Sequence, residues 1–163
     1  MSQNRQIGLN GRNRIGRLTA RRARVASKNG GTLQVGSLLR PILVVEDDPL
    51  IRDLIAAMLE DDRLEITFAT GGEEAVSALS DAGFGPCAIL TDIDLGPGPS
   101  GWEVAHHARR TNPDLPVIYM SGASAADWPA RGVPGSRMLP KPFSAKAPSD
   151  VLSTHIQDPT PVR

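Results

Sequence analysis

The chain has 163 residues, 40% of them hydrophobic and 22% charged, which is room for one globular domain and little more. A lone cysteine, Cys87, excludes a disulfide framework and fits a reducing cytoplasm; no apolar run approaches the roughly 20 residues that span a bilayer. The formal net charge of zero hides an asymmetry: residues 1–40 hold eight Arg and one Lys with no Asp or Glu, so +9 there is balanced by −9 over residues 41–163.

Residues 1–40 scatter their apolar positions among Gly, Asn and Ser. They cannot bury enough surface to offset ordering, and read as a basic disordered leader or a mis-assigned start. A basic tail can bind nucleic acid or an acidic surface, but a solvated leader is the simpler reading. From Pro41 the pattern becomes regular, and residues 41–157 read as one domain with a tail over 158–163. "ILVV", Ile42–Val45, is a continuous apolar run suited to a parallel strand buried on both faces. Leu50, Ile51, Leu54, Ile55, Met58 and Leu59 then recur at helical spacing, with Asp48 as N-cap and Pro49 at the first helical position.

"LEITFA" reads as the second strand, and Thr70 with Glu73 as a capping box for the helix carrying Ala75, Val76 and Leu79. "CAILTD" is the third strand, and Ser100 with Glu103 a second capping box, opening a helix through Arg110. "LPVIYMS" is the fourth strand. A short helix is expected over 123–130, with Pro129 near its end. "SRMLP" is a weak fifth strand, and a last helix carries Val151, Leu152 and Ile156, interrupted by Pro148. Five strands alternating with five helices give a doubly wound (βα)5 fold, a five-stranded parallel sheet of flavodoxin-like order 2-1-3-4-5.

In such a sheet the functional crevice lies beyond the carboxyl ends of the strands. The first strand ends in Glu46, Asp47 and Asp48; the third ends in Asp92, with Asp94 two residues on. Order 2-1-3-4-5 makes these strands neighbours, so their carboxylates converge and repel unless a cation joins them. Oxygen ligands select a hard cation such as Mg²⁺. Ser121 and Lys141, from the ends of the fourth and fifth strands, add a hydroxyl and an ammonium. Metal, hydroxyl and ammonium make a cradle for a phosphoryl group, with Asp92 as the nucleophile toward phosphorus.

"ILVVEDDPLIR", "LTDIDL", "GWEVA", "PVIYMSG" and "KPF", in this order and spacing, resemble the receiver domain of bacterial response regulators over Ile42 to about Ile156. The resemblance implies that Asp92 is the phosphoacceptor and Asp47 a direct Mg²⁺ ligand, with Glu46 acting largely through water. It also implies the backbone carbonyl of Asp94 as a further ligand, Ser121 as the switch hydroxyl, Lys141 as the phosphoryl contact and a cis Lys141–Pro142 bond. Met138 stands where the family places an aromatic switch residue. The implied function is a stand-alone cytoplasmic receiver in a two-component phosphorelay. It would be charged by a histidine kinase or phosphotransfer protein, and would act on an output protein or drain phosphoryl groups. It would be a signalling domain rather than an enzyme.

Two other functions compete. Asp92-Ile93-Asp94 after an apolar strand also resembles haloacid-dehalogenase phosphatases, in which the second Asp is a general acid; that family places its motif on the first strand and needs a longer chain. Nucleic-acid binding through the leader is the other, read by salt-dependent affinity for any duplex. Simpler roles cover the remaining residues. Asp48 caps a helix, the side chain of Asp94 is solvated or forms a local turn, Cys87 packs in the core, and Trp102 packs at the start of its helix. Trp128 is a candidate for facing a partner. His106 and His107, adjacent on one helix, point about 100° apart and cannot share a site.

Overall fold

The computed structural model describes residues 39–60 and 63–156; the basic leader, save its last two positions, and the tail lie outside the described residues. The first strand, β1, runs Arg40–Val45 and is followed by α1, Pro49–Met58, and β2, Leu64–Ala69. Helix α2, Gly72–Leu79, leads to β3, Ala88–Asp92, and α3, Gly101–Thr111. Strand β4, Val117–Ser121, is followed by a 3-10 turn, Ser124–Asp127, and a one-turn α4, Trp128–Arg131. Strand β5, Arg137–Pro140, and α5, Ala147–His155, complete the domain. All four strand pairings are parallel, and the order is β2-β1-β3-β4-β5, as expected.

Alternate residues of each central strand serve opposite faces of the sheet. Ile42, Val44, Leu90, Ile118 and Met120 pack with Ile55 and Leu59 of α1 and Leu152 of α5. Leu43, Val45 and Ile89 pack with Ala75 of α2 and Val104 and Ala108 of α3. A third cluster, Trp102, Ala105, Val117, Tyr119 and Val133, sits under Trp128 and Met138. Each fully buried Leu or Ile contributes about 1.5–3 kcal/mol, so burial on both faces holds the strand ends in fixed positions.

The helix starts separate what local sequence dictates from what it does not. Asp48 caps α1 through Oδ1, 2.8 Å from the Leu50 amide. Ser100 and Glu103 form the reciprocal capping box of α3. The box expected from Thr70 and Glu73 does not form. Helix α2 starts one residue later, with Gly71 as N-cap, and Glu74 instead accepts from the Thr70 amide and hydroxyl at 2.7 and 2.8 Å. Packing requires glycine at the helix's first position, because a Cβ on Gly72 would stand 1.8 Å from the Pro99 carbonyl oxygen.

Pro129 does not close the fourth helix but sits in the first turn of α4, after a separate 3-10 turn. Pro148 likewise lies in the first turn of α5 rather than breaking it, where its missing N–H costs nothing. Trp128 does not face outward. It is half-buried, its Nε1–H donates to Ser136 Oγ at 3.0 Å, and it packs on the third cluster. Cys87 is half-buried against the first cluster.

Candidate functional site

The carboxyl ends of β1 and β3 lie side by side, with Val45 paired to Thr91. Glu46 and Asp92 therefore leave adjacent strands at the same level. One carboxylate oxygen from each of Glu46, Asp47 and Asp92 falls within a sphere of mutual distances under 4.8 Å. Glu46 is 1% exposed and Asp92 8%, whereas Asp47 is open to solvent. The cluster thus has a buried floor and a wet side, as a hard cation that keeps some of its water requires. Three carboxylates at this spacing fit such an ion chemically.

Lys141 enters from the end of β5. Its Nζ donates to Glu46 Oε2 and to Asp92 Oδ2, both at 2.8 Å. Its backbone amide donates to the Ser121 carbonyl at 2.8 Å, and the Lys141–Pro142 bond is cis. Asp92 Oδ1 accepts from the amides of Ile93, at 2.6 Å, and Asp94, at 3.4 Å. Burial raises the Glu46 carboxyl above its ordinary value, and the neighbouring charge of Asp92 adds to this against the Lys141 hydrogen bond. Burial pulls the Lys141 ammonium down, but its bonds to Asp92 and Glu46 and their charges outweigh that and leave it raised. The ammonium is therefore the pocket's own counter-ion.

Ser121 ends β4, 1% exposed, and its Oγ accepts from the Ser124 amide at 2.9 Å. Sequence reasoning did not single out Ser124. Its hydroxyl donates to the Asp94 carboxylate at 3.1 and 3.2 Å, tying together the loops after β3 and β4. The Asp94 side chain, expected to be solvated or locally bonded, is thus exposed but held by a residue thirty positions away. Arg52 of α1 was also missed; it donates to the carbonyls of Glu46 and Asp47, both at 2.9 Å. A helical Arg one turn past an acidic strand end is the signal that could have found it. The loop after β3 returns past Asp47 through Gly96, whose φ of 69° suits glycine. His106 and His107 go separate ways, one to the Arg131 carbonyl and the other to Ser80 and Arg110.

A doubly wound parallel sheet with converging carboxylates, a lysine and a hydroxyl at its carboxyl edge defines the class, an α/β domain with an acidic pocket able to hold a hard cation. A family model for the response regulator receiver domain matches residues 42–149. The chain belongs to this family, the receiver domains of two-component signalling, as its motifs led one to expect. Among curated proteins it is 31% identical over 105 residues to the probable transcriptional regulatory protein TcrX of Mycobacterium tuberculosis, covering 63% of this chain and 44% of that protein. It is 32% identical over 113 residues to the phosphate regulon regulator PhoB of Escherichia coli, covering 67% and 48%. The matched region thus spans less than half the length of these relatives.

Among solved structures it resembles a response regulator receiver protein from Sinorhizobium medicae, with a TM-score of 0.67 and 31% identity over 72% of this chain and 94% of that one. The receiver domain of the sensor histidine kinase PA1611 of Pseudomonas aeruginosa, solved with a magnesium ion in its active-site cleft, aligns with a TM-score of 0.61 and 26% identity, covering 72% and 98%. Among the described residues no helix is long and apolar enough to cross a membrane.

Proposed function

We propose that this cytoplasmic domain receives a phosphoryl group on Asp92 from a phosphohistidine of a histidine kinase or phosphotransfer protein. Glu46, Asp47, Asp92 and the backbone carbonyl of Asp94 would hold Mg²⁺, which supplies charge neutralisation for the incoming phosphoryl oxygens. An Asp92 carboxylate oxygen attacks phosphorus. The O–P bond forms as the N–P bond breaks, and the electron pair returns to that ring nitrogen; with the other ring nitrogen protonated, the donor leaves as neutral imidazole. Lys141 turns from its carboxylate partners to a phosphoryl oxygen, and the Ser121 hydroxyl donates to another. Output follows by contact with a protein partner, or the domain drains phosphoryl groups from a relay.

The observation that carries this reading is the Lys141 ammonium held between Glu46 and Asp92 with Asp47 beside them. The phosphatase alternative has no such support: Asp92 lies on β3, and the Asp94 carboxylate is engaged by Ser124. The test is incubation with Mg²⁺ and a small acyl phosphate, followed by intact-mass measurement. One phosphoryl group should be added, and none to Asp92→Asn or in excess chelator. Full labelling of Asp92→Asn would overturn the assignment, as would loss of labelling in Asp94→Ala.

A further inference from the structure

The turn between β1 and α1 must present two carboxylates while satisfying its own backbone. The Glu46 amide donates to the Ala69 carbonyl at 3.1 Å, continuing the sheet by one step. The Asp48 carbonyl accepts from the Arg52 amide at 3.0 Å, which is the first helical bond of α1. The carbonyls of Glu46 and Asp47 lie between these two patterns, past the last strand pairing and before the first helical turn. Backbone acceptors near a buried pocket need partners, and Pro49 removes one local donor. One guanidinium nitrogen of Arg52, Nη1, donates to both carbonyls at 2.9 Å.

These two carbonyls belong to the residues whose side chains form the cluster with Asp92. Resting on the metal-binding reading above, we infer that Arg52 is a positioning residue for the cation site. By gripping both carbonyls from α1, it fixes the peptide planes from which the Glu46 and Asp47 carboxylates project. It also places a fixed cation behind an acidic turn whose carboxylates would otherwise push apart. A bare helix-start staple needs only one of these bonds. The pair of hydrogen bonds to consecutive carbonyls restrains rotation of the Glu46–Asp47 peptide, which is the motion that would swing the exposed Asp47 away from the buried pair.

The experiment compares wild type with Arg52→Met, which keeps an unbranched apolar stem, and Arg52→Lys, which restores a donor. Mg²⁺ alone is titrated calorimetrically, and each protein is melted in chelator. Arg52→Met should bind Mg²⁺ about tenfold more weakly, at the lower end of the roughly 10–100-fold seen when groups supporting ligands are removed. Its melting in chelator should stay close to wild type, and Arg52→Lys should recover most of the affinity. Wild-type affinity in Arg52→Met would overturn the inference, and so would a parallel loss of chelator-state melting and affinity that Lys does not rescue. If Arg52→Met does not fold, Arg52→Gln against Arg52→Lys decides the same question. Failure of wild type itself to bind Mg²⁺ would refute the metal site as well, whereas wild-type affinity in Arg52→Met refutes only the role of Arg52.

Discussion

The two sides of β3 are built differently. Toward β1 and β2, the strands are covered by α1, α2 and α3, of ten, eight and eleven residues, and α1 and α3 start on side-chain caps. Toward β4 and β5, α5 covers one face and α3 reaches under β4 on the other, and the rest of that second face is covered by a 3-10 turn and a four-residue α4, neither with a side-chain cap. The chemistry sits where the first side is most constrained, with Glu46 and Asp92 locked by strand pairing, backbone amides and Lys141. The loop after β4 is held to the site by two contacts of one residue, the Ser124 amide on Ser121 and the Ser124 hydroxyl on Asp94. A charged pocket requires fixed geometry, because repulsion among carboxylates will open any slack. A segment that must answer to a phosphoryl group requires few bonds to break. On the proposed function, this division would separate a side that holds the pocket from a side that answers to the phosphoryl group.

The strongest way to break the comparison is to add one methyl group on each side. A Cβ on Gly101, at the start of α3, would stand 2.0 Å from the Asp92 carbonyl oxygen, whereas one on Gly122, just past Ser121, would meet nothing within 4 Å. Gly101→Ala should cost about 2–3 kcal/mol, since overpacking against backbone forces strand and helix apart. It should also slow phosphorylation by displacing Asp92. Gly122→Ala should leave both unchanged. Denaturant unfolding and acyl-phosphate labelling of the two variants check this, and equal behaviour would show that the two sides are equally tight.

A smaller effect is expected from Trp128, the residue that anchors the short side. Its indole N–H donates to Ser136 Oγ, which in turn donates to the Val133 carbonyl at 2.6 Å. Trp128→Phe keeps an aromatic ring on the third cluster but removes the donor, and should cost about 1 kcal/mol, a typical net hydrogen bond. Labelling of Asp92 should proceed at the wild-type rate, because no pocket residue touches this contact. A slowed rate in a folded variant would mean that the short side also holds the pocket. Met138 packs in the same cluster, so Trp128 supplies aromatic mass in the region where the family's aromatic switch residue is replaced.

The strands were more legible than the elements that cover them. Continuous apolar runs mark β1, β3 and β4 because strands buried on both faces are apolar until their carboxyl ends, and the pocket residues could be placed because they follow those runs directly. Asp48 and Ser100 were readable since a cap and its partners lie within one turn. Thr70, Pro129, Trp128 and Pro148 were misplaced because tertiary contacts decided them. Gly72 had to meet Pro99, and Trp128 had to reach Ser136. A proline can equally end one helix or begin the next. Arg52 and Ser124 stayed hidden for a related reason, because their partners are carbonyls, an amide and a carboxylate brought near only by the finished fold.

The smallest expected effect sharpens the contrast in helix caps. Glu103 Oε2 accepts from the Ser100 amide and hydroxyl, both at 2.9 Å, and Ser100 Oγ meets the Glu103 amide. The bond from the Ser100 amide, then that from its hydroxyl, holds the Glu103 carboxyl below its ordinary value of 4.5. A carboxyl depressed in the folded state adds stability above its unfolded value, and that increment is lost as the pH falls through the folded value. Glu103→Gln keeps an oxygen acceptor for the cap and removes only the charge near the start of α3, where a negative charge is favoured. The variant should melt slightly below wild type at neutral pH, and the two curves should converge in acid below the depressed value. Glu103 is fully exposed, so added salt should shrink the neutral-pH gap as well. A gap that persists unchanged into acid would assign the loss to amide geometry instead, and would leave the charge of the capping box without a part in holding α3 over the Asp92 end of the sheet.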